Sequence, residues 1–277
     1  TDRNSVLPAD AIGDVENHVV VAVFEARIAI GDEIRWVPVG RGTAFPISPT
    51  LFLTNRHVIE FDENGRDELT AAWKNARAVE SVSVLDTRVV LVGRFGFGKA
   101  REIPARVRFK GVEKNDDLAV LSIEEPGSFA CHFAPVPPQR SQVFAIGFPG
   151  VSADLATSLG SMDQLIEKIE HFLGKDLQPD GSLDLVKLIG PMNLEPTSND
   201  GIISKTHLQE GILQTNAVIA GGNSGGPLLD AKGRVIGINT WSAVDNNGFS
   251  VSIRSDRVKE ILADTAFHDQ IDWSLFP

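Results

Sequence analysis

Short runs of apolar and β-branched residues recur along the chain, separated by turn residues. In the first half they lie at 19–30, 34–39, 42–47, 50–54, 82–92, 103–111 and 118–123. The second half repeats the pattern at 142–147, 201–206, 211–215, 227–230, 234–240 and 248–253. Runs of this length and composition, bounded by Gly, Pro, Asn and Asp, are typical of β-strands. Two sets of about six short strands predict two small antiparallel β-barrels in tandem.

A Pro-rich stretch divides the two sets of strands. Residues 134–139 read Ala-Pro-Val-Pro-Pro-Gln, a composition that favours an extended linker. We therefore expect an all-β fold, with an N-terminal six-stranded barrel over 15–130 and a C-terminal six-stranded barrel over 139–254.

Three stretches have a helical period instead. Apolar residues three and four apart predict an amphipathic helix over 153–173, and a second, short helix is expected over 183–189. Both lie in the segment 151–199, which interrupts the second barrel. Ser255 is predicted to cap a C-terminal helix over 255–266, whose apolar face holds Val258, Ile261 and Leu262.

The composition is that of an ordinary globular protein. Of 277 residues, 42% are hydrophobic and 23% are charged. The formal net charge of −11 repels nucleic-acid phosphates, so we expect no nucleic-acid partner. The apolar runs are far shorter than the roughly 20 residues needed to cross a bilayer, so no membrane insertion is expected.

The single cysteine, Cys131, excludes an intramolecular disulfide. A chain held together by its core alone suits a reducing compartment or a bacterial protein, and we expect it in the cytoplasm. Because the chain begins at Thr1 and not at Met, removal of an upstream signal peptide would instead place it in the periplasm or outside the cell. Cys131 precedes His132, but sequence adjacency does not provide the geometry of a nucleophile–base pair.

The strongest chemical signal is the Gly-rich sequence Gly221-Gly-Asn-Ser-Gly-Gly-Pro-Leu228. A nucleophilic serine needs an exposed hydroxyl on a tight turn, with backbone N–H groups directed at the developing oxyanion. The glycines beside Ser224 permit such a turn and a close approach of substrate. A Gly-rich hairpin loop without chemistry is the alternative for this sequence taken alone.

Two further sequences supply a base and a carboxylate. His57 directly follows the apolar strand in Phe52-Leu-Thr-Asn-Arg-His57, and the end of a rigid strand is a fixed position for a general base. Asp117 opens the apolar strand Leu118-Ala-Val-Leu121, where a carboxylate could orient the histidine. Each has an ordinary alternative, a histidine after a strand and a turn-forming Asp pair.

Taken together, the three sequences occur in the order His, Asp, Ser, and the chain resembles the chymotrypsin/trypsin superfamily. It is most similar to the bacterial HtrA-type (Deg) trypsin-like peptidases. Three shorter stretches add to the resemblance: Ala145-Ile-Gly-Phe-Pro149, Leu213-Gln-Thr-Asn216 and Val235-Ile-Gly-Ile-Asn-Thr240. The resemblance covers about residues 19–255 and is far more specific than any one motif.

The resemblance implies a serine endopeptidase that acts on polypeptides without a cofactor or metal. Ser224 would be the nucleophile, His57 the general acid–base and Asp117, in preference to Asp116, its orienting carboxylate. The oxyanion hole would be formed around Gly222, Asn223 and Ser224, through the N–H groups of Gly222 and Ser224. Substrate-binding residues are also implied: Val218 and Ile219 at the base of the specificity pocket, Thr240, Trp241 and Ser242 along the substrate backbone, and Phe249 on a pocket wall.

An apolar pocket base predicts a small or medium aliphatic residue before the cut bond, because an unpaired Lys or Arg there would be costly. The position of Phe249 decides whether aromatic residues are accepted as well.

The chain departs from the family in three places. Asn223 replaces the Asp that pairs with a freed N-terminus in trypsin-like zymogens, no PDZ domain follows the last strand, and 151–199 is an insertion where HtrA-type enzymes have a short loop. We expect a regulatory partner or fused domain near this insertion, which would form a lid or docking surface, or a helix packed on the flank.

Two rival functions remain at this point. A pseudoprotease would bind polypeptides without cutting them, although all three triad residues are present. An α/β-hydrolase esterase would have the order Ser, Asp, His and a large helical fraction. Gly93–Ala100 nearly matches a phosphate-binding loop, but Ala100 cannot bind Mg²⁺, so we interpret it as a hairpin turn. The histidines other than His57 lack metal-ligand spacing.

Overall fold

The computed structural model describes residues 11–61, 64–96, 98–112, 116–148, 178, 180–190, 194–206, 211–242 and 249–277. It contains two closed antiparallel barrels of six strands each, which confirms the predicted all-β architecture. The predicted helix over 153–173 lies outside the described residues. In the part of the chain that the structure describes, no helix has the length and apolar character needed to span a bilayer.

The first barrel closes in the order β1-β2-β3-β6-β5-β4. Its strands are β1 (Val20–Ile30), β2 (Glu33–Pro46), β3 (Leu51–Thr54), β4 (Val82–Gly93), β5 (Arg101–Lys110) and β6 (Ala119–Ser122). The structure joins the two strands predicted at 34–39 and 42–47 into β2. The glycines at 40 and 42 do not form a turn, because both stay paired with β1. The register shifts between Phe24 and Glu25, where β2 contains one extra residue, Val39, as a bulge.

The second barrel closes in the order β7-β8-β9-β12-β11-β10. Its strands are β7 (Gln142–Gly147), β8 (Thr197–Lys205), β9 (Ile212–Thr215), β10 (Pro227–Asp230), β11 (Val235–Ser242) and β12 (Ser250–Arg254). Strand β8 begins four residues before the predicted strand at 201–206, so Thr197–Asn199 belong to the barrel as well as to the segment 151–199.

Strand β1 shows why the barrels produce nearly continuous apolar runs in the sequence. Val20, Ala22 and Phe24 pack inside the first barrel. Val21 and Val23, on the opposite face, belong to a cluster that also contains buried side chains of the second barrel. A strand in this position is buried on both faces, so it cannot alternate apolar and polar residues.

Four α-helices are described. They are α1 (Ala11–Glu16), α2 (Gly65–Arg77), α3 (Leu185–Ile189) and α4 (Ser255–Leu262). The short helix expected over 183–189 is confirmed by α3, whereas α2 was missed. The missed helix buries Leu69, Ala72 and Trp73. Because Ala72 and Trp73 follow Leu69 by three and four residues, all three lie on one face of the helix, which packs against the first barrel.

The predicted cap of the C-terminal helix is wrong. Arg254 occupies the N-cap position and Ser255 is the first helical residue of α4. The Ser255 hydroxyl donates instead to the carbonyl oxygen of Ala134 at 2.6 Å, which ties the helix to the linker between the barrels. A hydroxyl that is fully buried uses the nearest free acceptor, and here that acceptor lies outside the helix.

Candidate active site

His57 lies three residues beyond the end of β3, at the rim of the first barrel. Its backbone N–H donates to one carboxylate oxygen of Asp117 at 3.0 Å, and its Nδ1 lies 2.6 Å from the other oxygen. A carboxylate only accepts hydrogen bonds, so Nδ1 carries a proton, and the lone pair of the neutral imidazole is on Nε2. The His57 side chain is 50% exposed, which leaves Nε2 accessible from the cleft.

Asp117 precedes β6 by two residues and is held at several points. Asn55 donates its side-chain N–H to the carbonyl oxygen of Asp117 at 2.6 Å, and the Thr240 hydroxyl donates to its carboxylate at 2.8 Å. Burial raises the pKa of the Asp117 carboxyl, but the hydrogen bonds and charge of His57 and the bond from Thr240 outweigh it, so the net pKa is lowered from 3.8. The carboxylate is therefore ionised at neutral pH.

Asp116 points elsewhere. Its carboxylate forms an ion pair with the guanidinium of Arg257 on α4, at 2.7 Å. Of the two adjacent carboxylates, only Asp117 contacts His57.

Ser224 lies on a tight loop between β9 and β10. The N–H of Asn223 donates to the carbonyl oxygen of Ala220 at 3.1 Å, and Gly222 has φ of +98° at the third position of this turn. Gly225 also has a positive φ, and a Cβ there would lie 2.2 Å from the carbonyl oxygen of Thr43. Only glycine satisfies both requirements, which explains the Gly-rich sequence around the serine.

The Ser224 hydroxyl donates to the carbonyl oxygen of Thr240 at 2.8 Å. A hydroxyl has one proton, so in this structure it is not donated to His57. Since the Thr240 hydroxyl also bonds to Asp117, one residue of β11 contacts both the serine and the carboxylate. Rotation about the Cα–Cβ bond of Ser224 would be needed to direct its hydroxyl at the imidazole.

The loop leaves two backbone N–H groups available beside the serine. The N–H of Asn223 is used inside its own turn, so Asn223 does not contribute a backbone donor to an oxyanion hole. The carbonyl of Asn223 accepts from the N–H of Gly226 at 2.9 Å. A trans peptide directs its N–H opposite to its carbonyl, so the N–H of Ser224 points away from Gly226. Within the described residues, the N–H groups of Gly222 and Ser224 have no acceptor.

The expected substrate-binding residues are spread around this loop. Val218 is 64% exposed, whereas Ile219 is buried in the core of the second barrel. Thr240, Trp241 and Ser242 form the last part of β11. They lie beyond Ile238, the last residue of β11 that pairs with β10, whereas the pairing of β11 with β12 continues to Ser242. Phe249, just before β12, is 39% exposed.

Three polar contacts of the site were not found from the sequence. They are the hydroxyl of Thr240 on Asp117, the amide of Asn55 on the backbone of Asp117, and the contacts of Thr43 with the serine loop. Each of these side chains is almost completely buried, and a polar residue inside an apolar strand run is the signal that could have identified Thr43. Cys131 is also buried, and burial raises the pKa of its thiol, so it is not an activated nucleophile.

Comparison with known proteins is consistent with this geometry. The family model described as trypsin-like peptidase domain matches residues 42–238. HhoA of Synechocystis sp., a putative serine protease, is 44% identical over 233 residues, which cover 80% of this chain and 42% of HhoA. Human serine protease HTRA3 is 27% identical over 281 residues, which cover 95% of this chain and 46% of HTRA3. The chain thus spans less than half the length of either relative.

A similar fold is found among solved structures. The crystal structure of the serine endoprotease from Yersinia pestis superposes with a TM-score of 0.53 at 22% identity, covering 92% of this chain and 66% of that one. At this level of identity the likeness concerns the fold alone.

Proposed function

Because the chain belongs to the trypsin-like peptidase family, we propose that it is a serine endopeptidase with Ser224 as nucleophile, His57 as general acid–base and Asp117 as orienting carboxylate. The observation that carries the proposal is the contact of His57 with Asp117 at 2.6 Å, beside a serine on a Gly-rich turn. Ser224 of the second barrel is linked to this pair through Thr240, whose carbonyl accepts from the Ser224 hydroxyl and whose own hydroxyl donates to Asp117.

The chemistry follows from the protonation state of the site. The Ser224 oxygen attacks the carbonyl carbon of the scissile peptide while its proton passes to Nε2 of His57. The negative charge on the substrate oxygen is accommodated by the N–H groups of Gly222 and Ser224. Collapse of this tetrahedral species breaks the C–N bond, and His57 returns the proton to the leaving amine. Water then hydrolyses the Ser224 ester by the same route, with His57 accepting and donating its proton again.

The lowered pKa of Asp117 supports its role as an orienting group. An ionised carboxylate fixes the Nδ1–H tautomer and stabilises the imidazolium that forms when Ser224 is deprotonated. The Thr240 hydroxyl adds a third donor to the two from His57, which favours the carboxylate form over the protonated acid.

Covalent labelling tests the proposal directly. A fluorophosphonate probe should modify the wild-type protein at Ser224 and should leave Ser224→Ala unlabelled. Wild type should also cleave unfolded casein, and Ser224→Ala and His57→Ala should each reduce kcat by about 10⁴-fold or more. A wild-type protein that binds casein but neither reacts with the probe nor cleaves would instead be a polypeptide-binding pseudoprotease.

For specificity, the proposed preference is a small or medium aliphatic residue before the cut bond. It is supported by the apolar pair Val218 and Ile219 preceding the serine loop. Mass spectrometry of casein fragments is the test. A majority of cuts after Lys or Arg would contradict the preference, and a majority after Phe or Leu would indicate a deep pocket with Phe249 turned away.

A regulatory role for the segment 151–199 completes the proposal. Part of it packs on the first barrel, where Gly181 accepts a hydrogen bond from the N–H of Trp36 at 3.2 Å and Asp180 lies 3.3 Å from Arg88. Because the segment contacts the first barrel and ends in β8 of the second, a partner that binds it could act on both.

A further inference from the structure

One residue of the first barrel holds the serine loop of the second. Thr43 of β2 is completely buried. Its hydroxyl donates to the carbonyl oxygen of Gly222 at 2.7 Å, and its backbone N–H donates to the carbonyl oxygen of Ser224 at 2.8 Å. The same hydroxyl oxygen accepts from the N–H of Phe148 at 3.2 Å. Thr43 thus bonds to the loop at two points and to the residue after β7 at a third.

The two carbonyl groups that Thr43 holds lie on either side of the Asn223–Ser224 peptide, whose N–H is directed at the oxyanion in the proposed mechanism. The Gly222–Asn223 peptide is held at its oxygen by the Thr43 hydroxyl, and the Ser224–Gly225 peptide is held at its oxygen by the Thr43 N–H. The peptide between them carries the N–H of Ser224. Since both neighbouring planes are held by one residue, the direction of that N–H depends on where Thr43 sits.

The contact between the two barrels is close enough to leave little freedom. A Cβ on Gly42 would lie 2.6 Å from the carbonyl oxygen of Ser224, and one on Gly226 would lie 3.2 Å from the methyl carbon of Thr43. Backbone lies directly on backbone at this junction, so the loop cannot shift toward β2 to replace a missing hydroxyl contact.

We propose that Thr43 is a positioning residue for the reaction, whose hydroxyl acts through the carbonyl of Gly222 to keep the N–H of Ser224 directed at the oxyanion. The inference rests on the proposed peptidase function. Thr43 touches neither substrate nor triad side chains, and its effect belongs to the transition state because the oxyanion forms only there.

Thr43→Val replaces the hydroxyl by a methyl group of similar size. We expect kcat on a peptide substrate, per active site titrated with fluorophosphonate, to fall about 10- to 100-fold with KM changed less than about threefold. Thr43→Ser restores the hydroxyl and should keep kcat within about threefold of wild type. If Thr43→Val does not fold, the pair Thr43→Ser and Thr43→Ala makes the same comparison.

A peptide boronic acid separates positioning from a merely structural role. Its tetrahedral adduct on Ser224 places an oxygen in the oxyanion position, so its inhibition constant should rise by about the factor by which kcat falls. Ser255→Ala is the control. The Ser255 hydroxyl is equally buried and donates to the carbonyl of Ala134 in the linker at 2.6 Å, not to Thr43 or the serine loop, so this variant should keep kcat within about threefold.

Three results would overturn the inference: unchanged kcat in Thr43→Val, an equal loss in Ser255→Ala, or an unchanged inhibition constant of the boronic acid. Failure of the peptidase proposal has a different signature, because wild type itself would then neither react with fluorophosphonate nor cleave the peptide.

Discussion

At the scale of single residues, two adjacent carboxylates have separate roles. Asp117 accepts from the backbone and ring of His57, whereas Asp116 pairs with Arg257 on α4. The same chemical group thus serves the proposed catalytic site in one case and the attachment of the C-terminal helix in the other. The N–H of Leu118 donates to the carbonyl oxygen of Asp116 at 2.7 Å, so the backbone turns at Asp117 and the two side chains leave it in different directions.

Exchanging each carboxylate for an amide separates these roles. Asp117→Asn should lower kcat by about 10⁴-fold with little loss of fold, because the amide favours the wrong tautomer of His57. Asp116→Asn should leave kcat within a few fold and reduce the melting temperature, since Arg257 loses its ion pair at 2.7 Å and keeps that with Glu260 at 3.2 Å. Steady-state kinetics and thermal unfolding of the two variants make the comparison. A larger kcat loss in Asp116→Asn would show that the orienting carboxylate is misassigned.

Asn223 is a second residue whose surroundings predict a measurable effect. Its side chain is fully buried, and neither its amide nitrogen nor its oxygen has a hydrogen-bond partner among the described residues. Asn223→Asp would bury a carboxylate, and burial without a cation raises the folded-state pKa. The free energy of unfolding of the variant, relative to that of wild type, should therefore be highest below about pH 4. It should fall as the pH rises through the raised pKa.

Urea unfolding of Asn223→Asp between about pH 4 and pH 8 measures this loss, with wild type as the reference. Equal stability of the variant and wild type at neutral pH would mean that a cation reaches the site. The same result is expected if a freed amino terminus pairs with the new carboxylate, as in the zymogen-like switch.

At the scale of elements, the carboxylate of Glu102 attaches α3, which lies in the segment 151–199, to the first barrel. Glu102 of β5 accepts from the N–H groups of Leu185 at 2.6 Å and Val186 at 3.2 Å, at the start of α3. Burial raises the pKa of the Glu102 carboxyl above 4.5, and the two backbone hydrogen bonds offset this only partly. A five-residue helix has little stability of its own, so this attachment and the burial of Leu185 and Ile189 hold it.

The raised pKa makes the contribution of Glu102 to the free energy of unfolding fall with rising pH. A carboxyl whose folded-state pKa exceeds its unfolded value stabilises the fold most below pH 4.5, and that contribution is lost as the pH rises through the folded-state pKa. The free energy of unfolding of wild type minus that of Glu102→Gln should therefore fall between about pH 4 and pH 8. Glu102→Leu has no acceptor and should speed hydrogen exchange at 185–189 at every pH. A difference that stays constant would show that Glu102 does not titrate in this window.

At the scale of the whole molecule, the two barrels are joined by more than the linker between them. A cluster of buried side chains contains residues of both barrels and of α3 and α4. Thr43 and Thr240 add hydrogen bonds across the junction, to Gly222 and to Asp117. The proposed site lies on this junction, so its geometry depends on how the barrels pack and not on either barrel alone.

Replacing the inserted segment tests its proposed regulatory role. The replacement should end at Pro196, because Thr197 begins β8, and a short Gly-Ser link would join Phe148 to β8. We expect kcat/KM to change more for a protein substrate than for a small peptide, since a lid or docking surface acts on large substrates. Equal changes would indicate that the segment only packs on the flank. Unfolding by urea is the control, because loss of buried Leu183 and Leu185 lowers stability.

The sequence by itself determined the strand runs of both barrels, the Gly-rich turn, and the order His57, Asp117, Ser224. Each run or motif consists of a few consecutive residues, so it can be identified without knowing the fold. The sequence interpretation missed α2 because its apolar face at Leu69, Ala72 and Trp73 is short, although Asn64 stands at its N-cap. Nor could it describe contacts between distant positions. Only the tertiary structure decided that Asp116 turns to Arg257, that Thr240 donates to Asp117, and that Thr43 holds a carbonyl 179 residues away. The physical reason is that local patterns report which face of an element is buried, whereas the partner of a buried polar group depends on which elements the closed barrels bring together.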